Sequence, residues 1–172
     1  MLCVCLTPQL LIASESTPTA METDVKAVYV YNFIRFTEWP DETSTPAERK
    51  LLVLGNLTLL KTFKHDAFRL TAKNTSLYTH SCPTPACIKE SHALFIDRTK
   101  SSQLIKILAS LKNRPVLTIS DIPGFADKGG MIELKRDQEH VIFRINIEAI
   151  KQANLYVSAQ LLELAEITGK KP

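Results

Sequence analysis

Three apolar runs in this chain end in polar groups: LLVL runs into Gly55-Asn56, ALFI into Asp97-Arg98, and VLTI into Ser120-Asp121. In open α/β sheets, ligands bind beyond the carboxyl ends of the strands. Asn56, Asp97 and Asp121 are therefore expected to converge on one crevice. Two carboxylates there could exchange protons with a substrate or hold a divalent cation. The plainer reading is that an Asp at a strand end caps the next helix or turn. No activated nucleophile accompanies these acids, so a small-ligand crevice is the chemistry expected of them, and catalysis is not.

Other chemistries lack their residues. Gly129-Gly130 precede MIEL, which reads as the start of a strand, whereas a phosphate cradle needs its glycines after a strand and opening a helix. They are expected to permit a tight turn or a close backbone approach. His65, His80, His92 and His140 share no ligand spacing, and the serine-hydrolase, β-lactamase and zincin signatures are missing. No catalytic residue, cofactor or metal is therefore expected. Cys82 and Cys87 lie in the Pro-containing segment HSCPTPACIKESH. Their spacing excludes a redox C-x-x-C pair. A local disulfide is the favoured reading in an oxidising compartment. A zinc site with His80 and His92, or a free pair, are the alternatives.

The elements that must position these residues follow from periodicity. TDVKAVYVYNFIRF (23–36) reads as a helix, with Thr23 or Asp24 as cap and an apolar stripe at Val25, Tyr29, Phe33 and Phe36. Trp39-Pro40 is expected to end it, since the residue before proline is pushed out of the α region. LLVLGN (51–56), ALFID (93–97) and PVLTISD (115–121) read as buried strands, TSLYT (75–79) as an edge strand, and 57–64 as a short helix. SSQLIKILASLK (101–112) is amphipathic, with Leu104, Ile107, Leu108 and Leu111 on one face and Ser101 or Ser102 as cap. Residues 131–146 predict a hairpin around a polar turn near Arg136–Glu139. Asn146 should cap a helix over 147–154, and 158–167 should form the last one.

Strands alternating with helices, closed by a hairpin, give an α/β fold. The expected architecture is a single three-layer domain: a mostly parallel central sheet with a C-terminal antiparallel hairpin and flanking helices. Tyr29, Tyr31, Phe33, Phe36 and Trp39 supply five of the twelve aromatic residues. Most should be core; Tyr31 and Trp39 are the candidates for a partner-docking patch.

Composition bounds the class. The chain has 172 residues, 45% of them hydrophobic and 23% charged, enough apolar material for one compact domain. Lys and Arg number 21 against 18 Asp and Glu, and the basic residues are scattered. That pattern gives no footprint for nucleic acid. Residues 1–20, MLCVCLTPQLLIASESTPTA, resemble the apolar and cleavage regions of a secretory signal without its cationic start. They are read as a signal peptide or disordered leader, and the folded domain as 23–168.

Two stretches become diagnostic together. VKAVYVYNFIRFTEWP (25–40) followed by LLVLGN resembles the opening of the YfiR/HmsC-like family of exported bacterial proteins, and GGMIELKRDQEHVIFRINIEAIKQANLYVSAQLLELAEI (129–167) resembles its closing segment. SHALFIDRT (91–99) and VLTISDIPGFADKGG (116–130) match between them in order and spacing. The resemblance implies a periplasmic α/β protein, often a homodimer, without catalysis. It implies repression of an inner-membrane diguanylate cyclase, a GGDEF protein, by binding of its periplasmic sensory part, which lowers cyclic di-GMP and biofilm output. Members of the family carry Cys just before the His of the ALFI-like strand; here that position is Ser91, so the family's disulfide pattern does not carry over. The expected function is thus a non-enzymatic periplasmic regulator. The alternative is a periplasmic small-ligand-binding or sensory module that uses the strand-end crevice.

Overall fold

A computed structural model describes residues 20–40, 49–64, 77–80, 88, 90–137 and 140–169. Helix α1 (Ala20–Arg35) is followed by a two-residue strand β1 (Thr37–Glu38), then β2 (Arg49–Leu54), α2 (Leu57–Lys64), β3 (Leu77–His80) and β4 (Ala93–Ile96). A 3-10 turn (Arg98–Gln103) runs into α3 (Leu104–Ser110) and β5 (Leu117–Ser120). The hairpin β6 (Ile132–Asp137) and β7 (His140–Asn146) leads to α4 (Ile147–Gln152), β8 (Tyr156–Val157), α5 (Ala159–Glu163) and β9 (Glu166–Thr168).

Seven strands form one sheet in the order β3-β2-β4-β5-β6-β7-β9, and β1 pairs with β8 in a second, two-stranded sheet. Every pairing in the large sheet is parallel except the β6–β7 hairpin, which is antiparallel as its sequence predicts. The expected α/β architecture is therefore the one observed. All four residues of β4 and of β5 are buried, because both strands are covered on both faces. The polar pair in β5 is satisfied, Ser120 donating to the Ile96 carbonyl and Thr118 accepting from the Met131 amide.

Alternate residues face opposite layers, as the two-residue repeat of a strand requires. Leu51, Val53, Ala93, Phe95, Leu117 and Ile119 pack with Ala27, Val30, Phe33 and Ile34 of α1 and with Leu59, Leu60 and Phe63 of α2. Leu52, Leu94 and Ile96 pack on the other side with Leu104, Ile107, Leu111, Ile122 and Phe125. The sheet is thus the middle of three layers.

Several boundaries differ from the sequence reading. Helix α1 stops at Arg35, ahead of Trp39-Pro40, because Thr37 and Glu38 pair antiparallel with Val157 and Tyr156. The Ser158 amide donates to the Phe36 carbonyl, and the Thr37 hydroxyl donates to the Phe33 carbonyl, so backbone groups at the helix end find other partners. Asp97, not Ser101 or Ser102, caps the segment before α3, accepting from the Thr99 amide. The last predicted helix is only Ala159–Glu163, capped by Ser158, and residues 166–168 pair instead with β7. Asn146 does cap its helix, accepting from the Ala149 amide. Among the described residues no helix is long and apolar enough to cross a membrane.

Candidate functional site

Lys26 stands in an otherwise apolar stretch of α1, one turn after Glu22. Asp121 is the residue that follows β5. Packing of α1 over the sheet brings them together: Lys26 Nζ donates to Asp121 Oδ2 at 2.7 Å, and the two side chains are only 10% and 5% exposed. Arg98, next to the end of β4, approaches the same oxygen at 3.5 Å. Glu22 lies 4.0 Å from Lys26 and accepts from Arg136 of β6 at 3.2 Å. A chain of charges therefore joins α1, the ends of two parallel strands and the hairpin.

Asp121 Oδ1 is buried and has no hydrogen-bond partner among the described residues. An unsatisfied buried acceptor costs about 1–3 kcal/mol, more when charged. Beside this carboxylate is a cavity of about 190 Å³. Val25 and Lys26 line it from α1, Leu134, Lys135 and Arg136 from β6, and His140 and Val141 from β7. Glu22, Arg98 and Asp121 complete the wall.

Of the three residues expected at the strand-end crevice, Asp121 lines this cavity and the other two do not. Asn56 and Asp97 meet each other: Asn56 Nδ2 donates to Asp97 Oδ2 at 3.0 Å, while Asn56 Oδ1 accepts from the Leu59 amide at 2.8 Å. Asp97 Oδ1 accepts from the Thr99 amide at 3.0 Å. The pair thus latches the ends of β2 and β4 and starts the segments after them, the capping role weighed for strand-end acids.

Tyr31 and Trp39 are 8% and 7% exposed and belong to the core instead of to an open patch. Buried residues of α1 occur at 23, 26, 27, 30, 31, 33 and 34, a band far wider than the stripe read from Val25, Tyr29, Phe33 and Phe36. A helix covered on more than one side buries residues that a single stripe leaves out. Trp39 Nε1 donates to the Pro115 carbonyl at 2.9 Å, the Arg49 guanidinium lies 4.6 Å above the indole, and His92 meets its edge at 5.9 Å. A face, an edge and the polar tip of the indole are thereby engaged. His92 Nδ1 accepts from the Lys50 amide. Burial, reinforced by the Arg49 and Lys50 charges, holds the His92 pKa below its ordinary value.

A second polar cluster escaped the sequence reading. Glu133, 2% exposed, accepts from the Gly124 amide through Oε1 at 3.0 Å and from the Ala126 amide through Oε2 at 3.1 Å. Arg144, its partner across the hairpin, lies 3.4 Å from Oε2 and forks onto both oxygens of Asp127 at 2.8 and 2.9 Å. That fork, the first cause of the shift, holds the Asp127 carboxyl below the usual carboxylate range and raises the Arg144 pKa. The cluster ties the loop after β5 to the hairpin. Its only sequence signal is a charge of each sign between apolar neighbours, Glu133 between Ile132 and Leu134 and Arg144 between Phe143 and Ile145. Gly130, as expected, marks a close approach: a Cβ there would strike the Phe125 ring.

Cys82 and Cys87, and with them the expected disulfide, lie outside the described residues. So does His65, and nothing is described of the His80 side chain. No group of three or more His, Cys, Asp or Glu suited to a metal occurs among the described residues.

Comparison with known proteins adds to this geometry. The family described as YfiR/HmsC-like matches residues 23–166. No curated protein matches the chain. Among solved structures, a conserved domain protein from Vibrio cholerae O1 biovar El Tor is similar with a TM-score of 0.55 at 10% identity, over 85% of this chain and 60% of that one. An ABC domain in complex with L-Trp from Streptococcus pneumoniae is similar with a TM-score of 0.53 at 14% identity, over 80% of this chain and 58% of that one. At such identities the likeness is one of fold, and this chain spans about 60% of the length of each.

Proposed function

Because this chain belongs to the YfiR/HmsC-like family, we propose that it is a non-enzymatic periplasmic regulator that represses a membrane-bound diguanylate cyclase by binding its periplasmic sensory part. The family is one of periplasmic regulators, and its match over 23–166 is the observation that carries this reading. The disposition of polar groups is in keeping with it. Asn56 and Asp97 are engaged in capping, and Glu133 and Arg144 in holding a loop. The protein acts as a homodimer that binds the inactive arrangement of the cyclase better than the active one. Such a binder shifts an equilibrium only by its difference in affinity for the two states. Moving a cyclase from almost fully active to almost fully silent takes about 5.5 kcal/mol of that difference.

Deleting the gene raises cyclic di-GMP, and the tagged protein captures a membrane protein with a GGDEF domain from detergent extracts. Unchanged cyclic di-GMP, together with capture of no such protein, overturns the proposal.

A further inference from the structure

We infer that the cavity between α1, the ends of β4 and β5, and the β6–β7 hairpin binds a small organic oxyanion that also carries a hydrogen-bond donor. The inference goes beyond the regulator reading and stands independently of it. The cavity lies beyond the carboxyl ends of two adjacent parallel strands, where open α/β sheets take their ligands. Its volume of about 190 Å³ falls below the roughly 300–1,000 Å³ of pockets that hold drug-sized molecules, so the occupant is a small metabolite.

The lining supplies the chemistry. Lys26, Arg98, Lys135 and Arg136 outnumber Glu22 and Asp121, which leaves an excess of positive charge for an anion. Arg98 and Arg136 have side chains 64% and 67% exposed, so solvent and ligands reach them. The 3.5 Å from Arg98 to Asp121 is longer than the roughly 2.7–2.9 Å of a strong charge-assisted bond. A guanidinium held that loosely can turn its fork onto a carboxylate or phosphate group. The second requirement comes from Asp121, more than nine-tenths buried, whose Oδ1 has no partner among the described residues. Asp121 lines the cavity, so a hydroxyl or ammonium on the ligand can donate to its carboxylate, which a bare anion cannot do. Leu134 and Val141 add apolar contact for a short carbon skeleton.

Calorimetry on the purified full chain at low salt tests this with D-3-hydroxybutyrate for the carboxylate, glycerol 3-phosphate for the phosphate, and butyrate as the anion without a donor. At least one of the first two binds at least tenfold more tightly than butyrate, and which one does identifies the acidic group. Arg98→Gln, at an exposed side chain, weakens that binding tenfold or more while leaving the unfolding temperature within a few degrees. Asp121→Asn abolishes the preference over butyrate. Absence of heat and of thermal shift with both probes, equal binding by Arg98→Gln, or binding of butyrate as tight as that of the hydroxylated probe overturns the inference. These readouts involve no cyclase, so their failure is distinct from failure of the regulator reading.

Discussion

Lys26 and Asp121 are 95 residues apart in sequence and 2.7 Å apart in space. This buried contact fastens the first helix to the end of β5. A buried pair is not automatically stabilising, because desolvating both charges offsets much of their attraction, but breaking one leaves the other exposed to that penalty alone.

Lys26→Met therefore destabilises the protein by about 3–5 kcal/mol, since Asp121 loses its closest partner. The double variant Lys26→Met/Asp121→Leu recovers most of that loss. Urea unfolding of the two variants measures both values. A single substitution no worse than the double one contradicts the buried-pair account.

Glu133→Ala frees the Gly124 and Ala126 amides at once, and leaves Arg144 with Asp127 and the more distant Glu166. The loss expected is about 2–4 kcal/mol, from two bonds to a charged acceptor at roughly 1.5–3 kcal/mol each, partly recovered by water. Hydrogen exchange at Gly124 and Ala126 should accelerate more than exchange in β4, whose amides are held by the sheet.

Gly130→Ala forces a methyl group into the Phe125 ring and costs about 1–3 kcal/mol by overpacking. Gly129→Ala meets no atom within 4 Å but has φ +93°. Its cost is conformational, about 1–2 kcal/mol. Thermal unfolding separates the two: only the Gly130 variant is rescued by Phe125→Leu.

His92 makes stability fall in mild acid. Its folded-state pKa lies below the ordinary 6.5, so between that value and the lower folded one the unfolded chain binds more protons. The stabilisation from neutral His92 is complete above pH 6.5 and is lost as pH falls toward the folded pKa. Protonation would also turn Nδ1 from an acceptor into a donor facing the Lys50 amide. Denaturant midpoints from pH 7.5 to 5.5 should decline more steeply for the wild type than for His92→Asn. Parallel curves would assign the decline to other groups.

Much of this architecture was legible in the residue order. The apolar blocks LLVL, ALFI and VLTI, each with its polar ending, announce buried parallel strands, and Asn146 announces the helix it caps. Such signals are local: four or five neighbours carry the whole pattern. The segment after Ser158 shows where locality fails. Its helical spacing holds to Glu163, but residues 166–168 go to the open side of β7, where a row of unpaired backbone groups gains partners that a longer helix cannot offer it. The same limit separates the residues of the expected crevice. Strand-end position put Asn56, Asp97 and Asp121 in one neighbourhood, and side-chain partners then divided them, Asn56 with Asp97 and Asp121 with Lys26. The linear order determined the layers, because burial repeats with the period of each element. Only the tertiary structure decided which charge meets which, because those partners lie 41 and 95 residues apart and are chosen by how α1 and the strands pack.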